Sequence, residues 1–448
     1  MLTSNENEMK GKNIIAFIFF SFFTLYYCDI LFADTIRHMQ YNLLYYTYHG
    51  VETCNATTNN LDTKDSALRA IIHFVQPDVL TVNEIGKGDS YAERILTNAL
   101  NTDGINYYRT LPISTASNMT IGNRIFYDSR KLAMKNNFKV STDYTYFNGY
   151  KMYYLSEELF HGDTAFITFI ICHLKAGSDM ENDPNEQRRA NQVRRLITRL
   201  QTMPIENYVL SGDFNVYNAS EEAFDLLVVH PEDETWRFYD PIDRIGEWDN
   251  NADFADVFTQ STHITSNGCP SYGGMDNRFD FILVNDYIKN GIDKIRCLPN
   301  TYYTLGNDGH RYNNSILTDP INSSITPYGD SVPANIIQAL YTMSDHLPVI
   351  MDYVVDAHIG ITEQNNCTPI IIQNPIHHQL KLSINQLKKD QLNLNIYNIN
   401  GQIMYHEQHT VDAGNNYWTI PFPYPSGCYI LRVTNQQGQT TNQKIIKL

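Results

Sequence analysis

The segment Ala165–Cys172 is apolar at all but one position and ends on a histidine, His173. It is far too short to cross a membrane and does not alternate apolar with polar residues. It therefore reads as a strand buried on both faces, which needs cover on each side. The same grammar recurs along the chain. Leu68, Ile71, Ile72 and Val75 fall at i, i+3, i+4 and i+7, and Pro77 ends that helical stripe. The apolar run Asp78–Val82 follows and leaves Glu84 at a strand end. A second stripe, Ala190, Val193, Leu196, Ile197 and Leu200, leads to a strand at Tyr208–Ser211, which runs straight into Gly212-Asp213-Phe214-Asn215. The glycine permits a tight backbone path there for two polar side chains. Met39–Tyr45, Phe279–Val284 and Leu347–Val355 supply further strands. Helices and strands thus mix in one large unit, an α+β arrangement over residues 34–356.

A chain of 448 residues exceeds one ordinary core. Lys10 and Lys12 precede an apolar run from Ile14 to Tyr27, shorter than the roughly 20 residues of a spanning helix, and Ala33 offers a cleavage point. Residues 1–33 are read as a signal peptide. Residues 357–367 read as a linker. After it, Leu380-Lys-Leu-Ser-Ile, Leu392-Asn-Leu-Asn-Ile-Tyr and Cys428-Tyr-Ile-Leu-Arg-Val alternate apolar with polar between Gly-containing turns, so 368–448 reads as a small all-β sandwich.

Acidic residues outnumber Lys plus Arg by 49 to 33, a formal charge of −16. That argues against a protein that grips nucleic acid on a broadly basic surface, though not against one that meets a polyanion through a metal. Arg188, Arg189, Arg194, Arg195 and Arg199 read as the solvated face of their helix. Six cysteines follow the leader, at 54, 172, 269, 297, 367 and 428, with no Cys-x-x-Cys. Their spacing fixes no connectivity, and Cys269 with Cys297 is one pairing to consider. Gly306–Ala334 is longer than an irregular loop usually is, which suggests a segment beside a substrate cleft.

Asn42, Glu84, His173, Asp213, Asn215, Asp280, Asp345 and His346 all lie at or just beyond strand ends. A sheet scaffold can bring such positions together. Their chemistry is coherent as a set. Carboxylates suit a hard cation, so Glu84 with one or more of Asp213, Asp280 and Asp345 are natural ligands or ligand supports. A further carboxylate can take a proton from water, and an acid-paired imidazole can face phosphate oxygens. Neutral Asn42 and Asn215 can orient phosphate or water without adding repulsion.

Tyr41-Asn42, Asn83-Glu84, Cys172-His173-Leu174-Lys175, Ser211-Gly-Asp-Phe-Asn215, Arg278-Phe-Asp280-Phe-Ile and Ser344-Asp-His-Leu-Pro348 stand in an order that resembles the endonuclease/exonuclease/phosphatase superfamily, over about residues 36–355. The resemblance implies a four-layer α/β/β/α sandwich of deoxyribonuclease I type. It implies that Glu84, Asn42 and Asp345 form the surroundings of an essential Mg²⁺, with Mn²⁺ or Ca²⁺ as substitutes. Asp213 would position or deprotonate water beside Asn215, Asp280 would orient His346, and His346 and His173 would face the phosphate, as Asn42 and Asn215 also could. Asn83 departs from the Gln of many relatives and shortens an amide beside Glu84. Cys172 is read as core packing on the opposite strand face, and Arg124 is left unassigned.

DNA or RNA is the expected substrate. The alternatives are a phospholipid or sugar phosphate, or a catalytically dead surface-binding module. The Tyr-rich stretch Tyr144–Tyr154 reads as an aromatic strand pair, with a lipid-facing hairpin as its rival. Residues 368–448 resemble a type A sorting domain of the type IX secretion system, through Asn374-Pro375, Asn398-Ile-Asn-Gly401 and Lys444-Ile-Ile-Lys-Leu. That resemblance implies passage to the surface or exterior of a Gram-negative bacterium by that machinery.

Overall fold

The structure is a computed structural model. It describes residues 34–48, 54–111, 120–155, 164–177, 184–356, 370–372, 376, 378–386, 388–398, 401–437 and 440–447. The signal-peptide and linker readings, at 1–33 and 357–367, lie outside the described residues.

The strands of the larger unit begin with β1 (Asp34–Tyr46), β2 (Val79–Gly86), β3 (Tyr108–Thr110), β4 (Ile121–Asp128), β5 (Leu132–Ser141), β6 (Tyr146–Tyr154) and β7 (Phe166–His173). They continue with β8 (Tyr208–Asp213), β9 (Phe238–Tyr239), β10 (Asp280–Asn285), β11 (Ile295–Cys297), β12 (Tyr303–Thr304) and β13 (Val349–Val355). One sheet runs β11-β13-β1-β2-β4-β3, with β12 also on β13; the other runs β5-β6-β7-β8-β10-β9. Ile36, Val79, Ile125, Phe169, Val209, Ile282 and Val355 of the two sheets share one buried apolar cluster. The opposite face of the first sheet, with Met39, Leu80 and Val82, shares a cluster with Leu68, Ile71 and Ile72 of the helix Leu61–Val75 and with Leu340 of the helix Ala334–Met343. Ile170, Cys172 and Leu210 share it with Val193 and Leu196 of the helix Asn185–Leu200. This is the expected sandwich of sheets between helices, built by side chains that alternate faces along each strand.

Along each central strand the face toward the opposite sheet changes character. Apolar side chains at one end give way to His38, Gln40 and Asn42 on β1, to Thr81 and Asn83 on β2, and to Ser211 and Asp213 on β8, all buried. These polar groups satisfy one another, as buried polar groups must. His38 Nε2 and Thr81 Oγ1 are 2.8 Å apart, Thr81 donates to Gln40 Oε1 at 2.7 Å, and Gln40 donates to Asn83 Oδ1 at 2.6 Å. Thr81 and Ser211 hydroxyls bridge the two sheets at 3.3 Å.

Two expectations need correction. Arg189 is buried, not solvated: it pairs with Glu221 and donates to the carbonyls of Lys175 and Gly177 at 2.9 and 2.8 Å. The disulfide joins Cys54 to Cys269, while Cys297 is a free thiol on β11, in register with Tyr353 of β13, so Cys269 does not pair with it. The Tyr-rich stretch is the strand pair that the sequence favours over a lipid-facing hairpin: Phe147, Tyr150, Met152 and Tyr154 are buried within β6, which pairs with β5. Arg124 is structural, pairing with Asp89. The long segment after Gly306 packs on the stretch Gln260–Met275, through Ser315 Oγ to Thr262 O at 2.7 Å and Met275 N to Asn314 O at 3.0 Å.

The C-terminal part contains β14 (Ile370–Ile372), β15 (Gln379–Gln386), β16 (Asp390–Asn398), β17 (Ile403–Val411), β18 (Gly414–Pro421), β19 (Gly427–Thr434) and β20 (Thr440–Lys447). They form sheets β14-β15-β18 and β17-β16-β19-β20. Leu380, Leu382, Leu394, Ile396, Leu431 and Val433 fill the core, as the alternation predicts. No helix among the described residues is long and apolar enough to cross a membrane.

Candidate active site

The polar ends of the strands meet at one edge of the sandwich. Backbone register sets the first row: β7 and β8 are parallel with His173 opposite Asp213, and β8 and β10 are antiparallel with Asp213 opposite Asp280. In the facing sheet Asn42 of β1 is level with Asn83 of β2, one residue before Glu84. Gly212 is required by the close approach of β7. A Cβ there would lie 1.9 Å from the Cys172 carbonyl oxygen.

Asn42 Nδ2 donates to Glu84 Oε1 at 3.1 Å and to Asp213 Oδ2 at 3.0 Å, so one amide spans carboxylates from both sheets. Asn42 Oδ1 accepts from Leu44 N at 3.0 Å, and Glu84 Oε2 accepts from Tyr45 N at 2.9 Å. His173 Nε2 lies 3.8 Å from Glu84 and 3.7 Å from Asp213. One ligand atom each from Glu84, His173 and Asp213 lie within 4.8 Å of one another. Asn215 N donates to Asp213 Oδ1 at 3.0 Å, and its side-chain amide donates to Leu174 O at 3.3 Å. Glu84 and Asn215 both take left-handed backbone angles, φ 59° and 51°. Such angles are uncommon outside glycine and concentrate at functional sites.

His346 closes the cluster from the turn before β13. Its Nδ1 is 2.6 Å from Asp280 Oδ2, and its Nε2 is 3.8 Å from Asp213 and 4.0 Å from Asp345. Burial opposes charging this imidazole, yet Asp280, Asp213 and Asp345 together hold its pKa well above the usual histidine value. Burial raises Asp213 above the ordinary carboxylate value, while His346 and His173 pull it back. The arrangement sets a buried carboxylate, less acidic than usual, opposite an imidazole fixed by Asp280.

All eight residues singled out by the sequence come together here. Four others were not singled out. Gln260 Nε2 is 2.7 Å from His346 Nε2 and 3.4 Å from Asp345 Oδ2. Thr259 Oγ1 accepts from the amides of Phe279 and Asp280, at 3.0 and 3.1 Å. Ser271 N donates to Asp345 Oδ2 at 2.7 Å, and Ser344 Oγ donates to Asn42 O at 2.7 Å. Gln260, Thr259 and Ser271 sit in loops without periodicity, where no sequence signal marks them. Ser344 stands inside the Ser-Asp-His motif and could have been read from it. Asn83, the shortened amide, donates to Asn123 Oδ1 and Cys172 O at 2.8 and 2.7 Å, while its Oδ1 accepts Asp213 N at 3.0 Å. It ties the two sheets together directly below the site.

Residues 372–447 match the secretion system C-terminal sorting domain. No curated protein matches the chain. Solved structures that it resembles include an endonuclease/exonuclease/phosphatase family protein from Bacteroides thetaiotaomicron, at 11% identity and a TM-score of 0.42, over 72% of this chain and 98% of that one. A mannosyl-6-phosphatase from the same organism gives 12% identity and a TM-score of 0.41, over 71% and 99%. The catalytic domain of human Nocturnin gives 15% and 0.39, over 72% and 97%.

Proposed function

We propose that this chain is an exported, divalent-metal-dependent phosphodiester hydrolase acting on DNA or RNA. The observation that supports it is the meeting of buried Asp213, Asp280, Asp345 and a carboxylate-bound His346 with the half-buried Glu84 and His173. Like charges do not gather in a protein interior without a cationic partner.

The residues fit a hard cation. Asp345 Oδ1 is buried without a hydrogen-bond partner, an open carboxylate oxygen of the kind a hard cation takes. Glu84 and Asp345 would hold Mg²⁺, with Mn²⁺ or Ca²⁺ as substitutes, and Asn42 would keep Glu84 and Asp213 apart. When bound, the metal neutralises charge that develops on the phosphate. Asp213, made more basic by burial, accepts a proton from the attacking water while Asn215 fixes the backbone beside it. Oxygen attacks phosphorus in line, and the bond to the departing alkoxide breaks. His346, fixed through Nδ1 by Asp280, and His173 donate to the non-bridging oxygens, and Asn42 and Asn215 steady the phosphate. The match of residues 372–447 to a sorting domain supports export by the type IX machinery of a Gram-negative bacterium, with a signal peptide at 1–33 as the first step.

Supercoiled plasmid and single-stranded RNA with millimolar Mg²⁺ test this reading. Cleavage that disappears in Glu84→Gln and in His346→Ala supports it. Cleavage that persists in both variants ends the assignment of the site. Release of phosphate or phosphocholine from small esters, with nucleic acids untouched, would replace the substrate class and keep the chemistry.

A further inference from the structure

Lys64 lies in the first turn of the helix Leu61–Val75 and is 2% exposed. Lysine is almost never fully buried unless its protons are satisfied. Its Nζ donates to Leu43 O at 2.7 Å, Leu44 O at 2.6 Å and Asn59 Oδ1 at 2.8 Å, three acceptors for the three protons of an ammonium ion. Asn59 reinforces the grip, its Nδ2 donating to Leu44 O at 3.1 Å and Tyr45 O at 2.7 Å. The carbonyls of three consecutive residues are therefore all turned toward one lysine amine and its amide neighbour.

The other side of the same three residues faces the site. Leu44 and Tyr45 adopt left-handed angles, φ 45° and 46°, which bulky side chains rarely take. That conformation turns Leu44 N toward Asn42 Oδ1 and Tyr45 N toward Glu84 Oε2, at 3.0 and 2.9 Å. Nothing in the local sequence favours this backbone, so an outside group must hold it. Burial lowers the Lys64 pKa to about 7, with Asp345 and Glu84 opposing that shift.

We propose that Lys64 is a positioning residue of the metal site: it fixes the left-handed turn Leu43–Tyr45, whose amides set the orientation of Asn42 and Glu84. The inference rests on the reading of Glu84 as a metal-holding residue. It goes beyond that reading by assigning a task to a lysine that touches neither substrate nor metal.

Titration calorimetry with Mn²⁺ on the full chain, beside the Mg²⁺ dependence of hydrolysis, tests it. Lys64→Met raises the Mn²⁺ Kd and the half-maximal Mg²⁺ concentration about ten-fold or more, as loss of a group that orients a ligand does. The kcat at saturating Mg²⁺ changes far less, and Lys64→Arg recovers part of the affinity. A merely structural lysine would lower Tm and leave the Kd of the folded protein alone. A folded Lys64→Met with wild-type Mn²⁺ affinity overturns the proposal. Where Lys64→Met does not fold, Asn59→Ala weakens the same carbonyl grip, and an unchanged Kd in that variant overturns the proposal equally. Glu84→Gln separates the two readings. If wild-type protein binds no Mn²⁺, or Glu84→Gln binds it unchanged, the metal site is wrong and this inference falls with it. If Glu84→Gln loses Mn²⁺ and Lys64→Met keeps it, only the role of Lys64 is wrong.

Discussion

The two ends of the sandwich interior are built from the same strands and obey opposite rules. At one end Ile36, Val79, Val209, Ile282 and Val355 bury apolar surface against one another. At the other, Asn42, Asn83, Asp213, Asp280 and His346 are just as buried but polar, held by hydrogen bonds and opposed charges. The dry end supplies stability in proportion to area removed from water. The polar end gives little of that and instead fixes side-chain geometry, because each buried donor and acceptor tolerates few arrangements. A residue at one end should therefore be read in melting curves and a residue at the other in rates.

The largest effect tests the polar end. Asp213→Asn removes one negative charge from a crowded site and is expected to cut hydrolysis about 10³-fold, with Tm unchanged or higher. Plasmid cleavage and thermal melts of the same preparation measure both, and a large loss of Tm with activity retained breaks the comparison.

Next comes the boundary. His38 sits between the two ends, against Phe169, and burial lowers its pKa to about 3. Its folded pKa lies below the unfolded value near 6.5, so the unfolded chain binds the proton first and stability falls as pH drops from about 6.5 toward about 3. The loss attributable to this group is on the order of 4 kcal/mol at the acid end. Urea unfolding at several pH values measures it, and His38→Gln should flatten the acid slope.

At the dry end Ile282→Ala should cost about 3 kcal/mol and leave kcat of the folded enzyme within about two-fold. Denaturant melts with rates corrected for folded fraction test this. The smallest effect sharpens the polar end: Gln260→Ala should lower kcat/KM about ten-fold without moving Tm, since its amide meets His346 and Asp345 from a loop. An unchanged kcat/KM would remove Gln260 from the site.

Much of this contrast is legible in the sequence, because both ends lie on strands. The run ending at His173 and the Gly-Asp-Phe-Asn turn mark strand and site together, and β1 extends beyond Met39–Tyr45 because Asp34 to Gln40 pair with β13, a contact 300 residues away that no local pattern announces. Separation in sequence likewise hides Arg189, whose partner Glu221 lies 32 residues on, and the disulfide, whose cysteines are 215 residues apart. Periodicity reports which way a side chain points from its own helix or strand. It does not report what stands opposite, so Gln260, Thr259, Ser271 and Lys64 emerge only in three dimensions.

The pairing of His173, Asp213 and Asp280 across β7, β8 and β10 divides the molecule into what can drift and what cannot. A single inserted or deleted residue within β8 would turn Asp213 to the other face of its sheet and end the chemistry, since side chains alternate with a period of two. The irregular segment 306–333 is not tied to that ladder by strand register; it packs instead on Gln260–Met275 through Ser315 and Asn314. In such a design the register of three strands, and not the loops around them, decides where the reacting groups stand.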